Sequence, residues 1–484
     1  MPYFNANNKL IERPGNFIIT DVCILPYHQF DEDPNLFRQY ITDQVLNINI
    51  FESLESPFLS GEIQLVDGVN VSSLLPLTGF ERIEFKLYTP GEDRGYDFSV
   101  RSGHPMMITG LRNKTALNDR VQQYTLEFCS MERVKNDQIR VSKAFSGKSE
   151  DIVLSVCRDE IETTKNIVIE ETKTNAKYVA PRIRPLDVIK YVGKVSESQN
   201  FQNAGYLFYE TGLGFNFKSY ESMFCDKSGA PRPVRAKYSP KIVVKRDKDG
   251  NRDIINALQS SSKFVVKSQF NTLRHLKAGT FASRSIRHDL FNKSFSEIDF
   301  DYHTHYANEN HLEQDYRGEN KTDNGVIPFF NYSKGKTISD FKEGTLLFES
   351  TTDKIHDSYN FLGRDKVAQK RVSQKAALSS IILEIEVPGF TGISVGEVVH
   401  FTCPSFAPVK NPLEKDNDPY LTGRYLISSI RHKIDIKGTK THAMTIELIK
   451  DSYNKSLPED NLDLFTGQEA DDGRIYSQYE LDDA

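Results

Sequence analysis

The chain has 484 residues, 38% of them hydrophobic and 26% charged, with a formal net charge of −6. That length exceeds what one core holds, so about three to four domains of roughly 100–150 residues are expected. The mild acidity offers no basic field for nucleic-acid binding, residues 1–8 lack the features of a signal peptide, and no apolar run reaches the length of a membrane span.

Five cysteines (Cys23, Cys129, Cys157, Cys225 and Cys403) are scattered without a Cys-x-x-Cys pair. That pattern predicts reduced thiols in a cytoplasmically made protein, with neither a disulfide framework nor a zinc site. Phe and Tyr are plentiful and Trp is absent, which leans the composition towards β structure.

Residues 1–40 are polar and irregular, with Pro14-Gly15, a candidate strand within 16–26, and an acidic run from Asp31 to Asp33. Strands then follow quickly. Leu46, Ile48 and Ile50 alternate with Asn47 and Asn49, and 61–67 reads as a second strand. After a turn at 74–79, Ile83, Phe85 and Leu87 alternate with Arg82, Glu84 and Lys86. Residues 96–100 and a hairpin over 108–128 complete a run of about six short strands, the pattern of an antiparallel barrel or sandwich placed at 1–145.

Near residue 146 the pattern changes. Ser149 followed by acids, with Ile152 and Val156 at helical spacing, predicts a helix with Ser149 as N-cap. Pro185 stands at the first position of a second helix. Residues 206–210 and 214–218 flank Gly212-Leu213 as a tight hairpin, read as a turn and not a phosphate cradle, and 219–224 forms a helical turn. Residues 146–254 are therefore an α+β domain. Its last part, 227–252, is rich in Lys, Arg, Asp and Pro and reads as a solvated loop or a partner-contacting arm.

From Ile254 a strand-rich pattern returns. Residues 279–289 loosely resemble 58–67, and 396–404 parallel 82–90. Between them, 303–377 is loop-like and then helical over 364–377, so a second β-domain is predicted as 255–302 plus 378–452, interrupted by an insertion at 303–377. Its closing hairpin, 421–448, echoes the earlier one. Ile427, Ile430, Arg431 and Lys433 match Ile108, Leu111, Arg112 and Lys114, while Met444 to Leu448 match Tyr124 to Phe128, with one residue of loop difference. Residues 453–484 form an acidic tail, with nine acids and Arg474 after position 455, and no apolar period.

The one tempting chemical cluster is Glu297, Asp299, Asp301, His303 and His305, which alternate on one face if the whole run is a strand. His-x-His beside carboxylates suits a metal, but a solvated strand face with Ile298, Phe300 and Tyr302 turned inward is the stronger reading, because nothing else in the chain has metal-site spacing. No Gly-x-Ser-x-Gly, His-Glu-x-x-His, P-loop or dinucleotide fingerprint is present, and no carboxylate pair stands in an apolar context. No catalytic, cofactor-binding or metal residue is assigned, no cofactor is expected, and the chain is expected not to be an enzyme.

Three stretches resemble the central baseplate hub protein of contractile-tailed, T-even-like phages and, more distantly, late-control D proteins and the hub part of type VI secretion spikes. They are 47–67 with 79–90, then 184–192 with 205–217, then 421–433. The resemblance implies a mainly β fold with α+β parts: two tail-tube-like antiparallel β-barrels plus inserted α+β domains. It implies a homotrimer whose six similar barrels ring a channel and adapt a six-fold tail tube to a three-fold central spike. The partners it implies are the spike, tube or tube-initiator proteins, surrounding wedge proteins, and DNA passing without specific binding. The location it implies is the tail baseplate of a virion, with synthesis in the host cytoplasm. The 303–377 insertion and the acidic tail are longer than a minimal hub requires. The competing reading is a tail-associated β-rich hydrolase or a cell-wall-binding component.

Overall fold

The structure is a computed structural model and describes residues 11, 13–26, 37–75, 77–173, 175–201, 204–240, 254–289, 293–306, 309–313, 331–333, 336–351, 364–405 and 417–453. The fold is mainly β, with several antiparallel sheets and small helical parts.

The first half supplies β1 (Cys23–Leu25), β2 (Val45–Ser53), β3 (Ser60–Asp67), β4 (Arg82–Glu84), β5 (Met106–Ala116) and β6 (Gln122–Ser130). The middle supplies α1 (Ser149–Ser155), α2 (Pro185–Val195), β7 (Tyr206–Thr211), β8 (Gly214–Ser219) and β9 (Lys237–Pro240). Then come β10 (Lys263–Ser268), α3 (Thr272–Ala278), β11 (Ala282–Asp289), β12 (Ser294–Asp301), α4 (Tyr302–Tyr306), β13 (Leu346–Thr351) and α5 (Arg364–Leu378). The chain's last strands are β14 (Ile381–Pro388), β15 (Val398–Phe401), β16 (Gly423–Asp435) and β17 (Thr441–Lys450).

One sheet of 14 strands runs through both halves. Its spine is β10–β14–β17–β16–β2–β3–β6–β5, and the join between halves is the antiparallel pair of β16 with β2, from Ser429↔Ser53 to Asp435↔Asn47. The two halves of this spine repeat one another strand for strand. In β5–β6, Phe128 faces Ile108, Glu127 faces Gly110, Leu126 faces Leu111 and Thr125 faces Arg112. In β16–β17, Leu448 faces Ile427, Glu447 faces Ser429, Ile446 faces Ile430 and Thr445 faces Arg431. Each hairpin skips one residue at the same step, Thr109 in one and Ser428 in the other. A bulge adds one unpaired residue to one strand, and its recurrence at the same step shows that the two copies share a register.

The next strands continue the correspondence. Phe128, Glu127 and Leu126 face Gly61, Glu62 and Ile63 of β3, as Leu448, Glu447 and Ile446 face Leu383, Glu384 and Ile385 of β14. The packing is adjusted in pairs. A Cβ on Gly61 would lie 2.2 Å from the Phe128 ring, whereas the second copy places two leucines at these positions. A large side chain opposite none is replaced by two of middle size, which keeps the volume filled. Each buried aliphatic here contributes on the order of 1.5–3 kcal/mol. The first copy's core holds Ile48, Ile50, Ile63, Leu65, Leu126 and Phe128, and the second's holds Leu383, Ile385, Ile430, Ile446 and Leu448.

Several sequence expectations need correction. Of residues 255–302, only the part around β10 joins the large sheet. β11 pairs with β12 on one side and β13 on the other in a separate sheet of three strands, packed beside α5. The counterpart of 60–67 is therefore β14, reached after a long excursion, and not 279–289. β15 does stand to β16 as β4 stands to β5, with Val398 facing Leu426 and Arg82 facing Met107. The alternating stretch 82–88 is not one strand. It breaks at Phe85, whose carbonyl accepts from Phe98 N, and Lys86–Tyr88 joins a separate small sheet. Ser149 is the first residue of α1, with Lys148 as the cap position. β9, within the stretch read as a solvated loop, pairs in parallel with β15. Pro185 opens α2 as expected, and β7–β8 is the expected hairpin. The expectations for 241–253, 314–330 and the acidic tail beyond residue 453 fall outside the described residues.

Candidate functional site

Two parts of the molecule concentrate polar chemistry: the open face of the eight-strand spine, and the buried seams where its halves meet the α+β part.

The open face is built by the period of two. Every second residue of each strand points away from the core, and those residues are mostly polar, with Phe51 among them. Asn47 bonds Gln64 at 2.6 Å and Asn49 bonds Glu62 at 2.9 Å across β2–β3. Arg112 pairs with Glu127 at 3.0 Å in the first hairpin. In the second copy, Lys267 reaches Glu384 at 2.6 Å and Glu447 at 3.1 Å, and these bonds raise its pKa. At the join, Arg431 donates to Asn49 at 3.2 Å, lies 4.0 Å from Glu62 and stacks over Phe51 at 5.7 Å. The face carries both signs, with these cations held beside carboxylates. A polar groove of about 430 Å³ crosses it, bordered by Phe51, Lys267, Glu384, Arg431 and Glu447.

The first seam centres on Glu52 of β2, which is 2% exposed. Its carboxylate accepts from Tyr96 Oη at 2.8 Å, from Gly212 N at 2.9 Å and from Val395 N at 3.2 Å. One side chain thus ties the first half, the tip of the β7–β8 hairpin and the second half together. Burial, opposed by these three donors, pushes its pKa up to about 7. Tyr96 Oη also contacts His432 Nε2 at 2.9 Å, and His432 Nδ1 contacts His442 Nε2 at 3.0 Å. With Tyr96 donating to Glu52, His432 donates to Tyr96 and His442 donates to His432, so both rings are neutral. Burial holds both histidines below the usual imidazole range, His442 at about 3.

The second seam centres on Lys165, 6% exposed in its side chain, between Glu132 at 2.7 Å and Glu210 at 2.6 Å. Glu210 also accepts from Leu59 N at 2.8 Å and from Ser130 Oγ, which fastens β7 to the first half. Burial lowers the lysine's pKa, but the two carboxylates outweigh it and raise it. Glu132 is lowered because the lysine outweighs burial, while burial leaves Glu210 raised.

These clusters have the residue types of acid–base catalysis, but their reacting atoms are enclosed and already occupied by partners. They hold the parts of the chain together. The five cysteines are all buried free thiols, and burial raises each of them, which keeps the thiolate scarce.

The run Glu297 to His305 does not form one face. β12 ends at Asp301, and Tyr302–Tyr306 is the helix α4, with Asp301 Oδ1 accepting from Thr304 N at 3.0 Å. Arg284 takes Asp299 at 2.8 Å and Glu297 at 3.2 Å, and His305 stacks on Phe300 with centroids 4.6 Å apart. Among the described residues no group of three or more His, Cys, Asp or Glu is arranged to hold a metal.

The seams were not visible from spacing alone, since Glu52, Tyr96, Gly212, Val395 and His432 come from distant segments. One signal was present. Ile430, His432 and Ile434 alternate, so the histidine occupies a core position between two isoleucines exposed 1% and 0%.

No family model matches the chain, and no curated protein matches it in sequence. Its structural neighbours are phage tail and type VI spike-related proteins. They include a tail protein from Neisseria meningitidis, 10% identical with a TM-score of 0.48 over 90% of this chain and 97% of that one. A 43 kDa prophage tail protein from Shewanella oneidensis is 8% identical, with a TM-score of 0.49 over 89% of this chain and 98% of that one. A type VI secretion component from Escherichia coli, described as structurally similar to phage tail proteins, is 9% identical with a TM-score of 0.40 over 86% of this chain and 76% of that one.

Proposed function

We propose that the chain is a structural, non-enzymatic hub of a phage-type tail baseplate, acting as a homotrimer around a channel. The observation that carries this reading is the repeated four-strand unit. β2–β3–β6–β5 and β10–β14–β17–β16 share register and bulge, and the last strand of the second unit pairs with the first strand of the other. A chain with two like units joined last-to-first offers six near-equivalent faces in a trimer. It can then meet a six-fold tube on one side and a three-fold spike on the other.

On this reading the repeats are two tube-like barrels. The first spans 1–145, and the second combines the region of β10 with 378–452. Residues 146–254 are an α+β brace, and the insertion holds β11, β12, β13 and α5. The open face lines the channel. Its cations sit beside carboxylates, so a passing polyanion finds few phosphate-sized sites to stick to. The spike, the tube and the wedge proteins are the partners of the remaining surfaces. Light scattering on the purified chain tests the assembly. Three times the chain mass of 55.3 kDa is expected, and a monomer at every concentration overturns the reading.

A further inference from the structure

The join of β16 to β2 occurs once within the chain, yet the repeat contains the two surfaces needed to make it again. Among the described residues, β5 pairs with β4 only at Met106 and Met107, so no strand covers that edge from Gly110 to Ala116. Likewise β10 pairs only with β14. Through their hairpin partners, β5 is the counterpart of β16 and β10 is the counterpart of β2.

The exposed side chains match. Ile430, buried at 1% beside the internal join, corresponds to Leu111, which is 37% exposed. Ile50, at 0%, corresponds to Val266, also 37% exposed. Positions that are core where the join is made are open to solvent where it is not. Phe270, just beyond β10, is 73% exposed. An apolar strand edge left uncovered invites another strand.

The internal register carries over to the open edges. Arg431 faces Phe51 and Lys433 faces Asn49. Their counterparts are Arg112 and Thr115 on β5, and Ser268 and Val265 on β10, read from shared partners in the flanking strands. Each of the open strands carries one extra residue between those positions, β5 within Asn113-Lys114 and β10 at Lys267. The two extra residues cancel, so Arg112 to Ala116 and Ser268 to Phe264 run opposite each other without a gap. In that register Lys114 faces Val266 and Asn113 faces Lys267, so no cation stands directly opposite another. Arg112 and Lys267 keep the carboxylates they already hold.

We infer that β5 of one chain pairs antiparallel with β10 of a second copy, Thr115 opposite Val265 and Arg112 opposite Ser268, repeating between chains the join of β16 to β2. The contact is last-to-first, so it propagates in one direction, and three copies about a three-fold axis close it into a ring. This rests on the ring reading above and names the edges that make it.

Paired cysteines test the register. Cα atoms in antiparallel pairs lie about 4.5–5.5 Å apart, within disulfide reach, and the pair type alternates along the strand. The double variants Thr115→Cys/Val265→Cys and Lys114→Cys/Val266→Cys therefore include one pair of the closer type. Mild oxidation of the full chain is expected to give a ladder ending at a covalent trimer for at least one of them. Thr115→Cys/Lys267→Cys, two residues out of register, is expected not to link. Trimers by light scattering with neither registered pair linking overturn this inference and leave the trimeric reading standing, while monomers throughout overturn both. Val266→Lys supplies an independent readout. It is expected to shift the assembly to monomers with unchanged circular dichroism, and retention of the trimer contradicts the proposal.

Discussion

The Ser428 hydroxyl lies 3.2 Å from the main-chain carbonyl of Glu447 across the second hairpin and 2.8 Å from the Glu447 carboxylate. The Thr109 hydroxyl lies 3.4 Å from the carbonyl of Glu127 in the first. Both hydroxyls sit on the bulged residue, so the repeat extends from strand order to individual side-chain bonds.

The bulge is one extra residue in an otherwise regular pairing, and its hydroxyl adds one hydrogen bond. Ser428→Ala is expected to cost about 0.5–1.5 kcal/mol in urea unfolding, the net worth of one hydrogen bond. Deleting Ser428 removes only the unpaired residue and leaves Ile427 opposite Leu448 and Ser429 opposite Glu447 with strict alternation, so a soluble folded protein is expected. Loss of soluble, cooperatively unfolding protein on deletion would show that the fold depends on the bulge itself.

Glu52 gives stability a pH dependence. Its folded pKa of about 7 lies above its unfolded value of 4.5, so its contribution is full below pH 4.5 and is lost as pH rises through 7. Glu52→Gln removes that slope, but it leaves only one oxygen for the donors Tyr96, Gly212 and Val395. We expect it to be destabilised by about 1–3 kcal/mol at pH 5 and by less at pH 8, measured by denaturant unfolding. An equal deficit at both pH values would show that Glu52 does not titrate in this range.

The two buried histidines act in the opposite sense. Both have folded pKa values below the usual 6.5, so their contribution is present above pH 6.5 and is lost as pH falls towards 3. Unfolding by acid requires both rings to take a proton. His442→Gln is expected to lower the acid-unfolding midpoint relative to its own stability at pH 8. An acid limb unchanged in shape would place the titration on other groups.

Lys165 neutralises two buried carboxylates. Lys165→Met leaves Glu132 and Glu210 facing each other, and a loss of about 3–5 kcal/mol is expected. Adding Glu132→Gln to Lys165→Met is expected to recover part of that loss, since one of the two buried charges goes with it. A double variant no better than the single would mean that packing, not charge, governs this seam.

How much of this was legible in the sequence depended on distance along the chain. The hairpins 108–128 and 421–448 announced themselves because period-two patterning, Arg112 and Arg431, and Glu127 and Glu447 recur within a short span. β10 did not, because Lys263 to Ser268 lacks clean alternation and its partner β14 lies beyond an insertion with a sheet of its own. The strand at 282–289 carries no sequence mark of its true sheet for the same reason, as pairing across an excursion leaves no local trace. Lys237–Pro240 was hidden by its lysine and its one proline, which a short strand tolerates. The open polar face follows directly from alternation. The seams do not, since hydrogen bonds such as Glu52 to Val395 span the chain and only a core-position histidine hinted at one.

End-on electron-microscope averages of the purified full chain test the central claim most directly. A closed ring with three-fold symmetry, six similar lobes and a central opening is the expected image. Isolated single-chain particles, or a two-fold dimer, would contradict the assignment of this repeat to a trimeric hub.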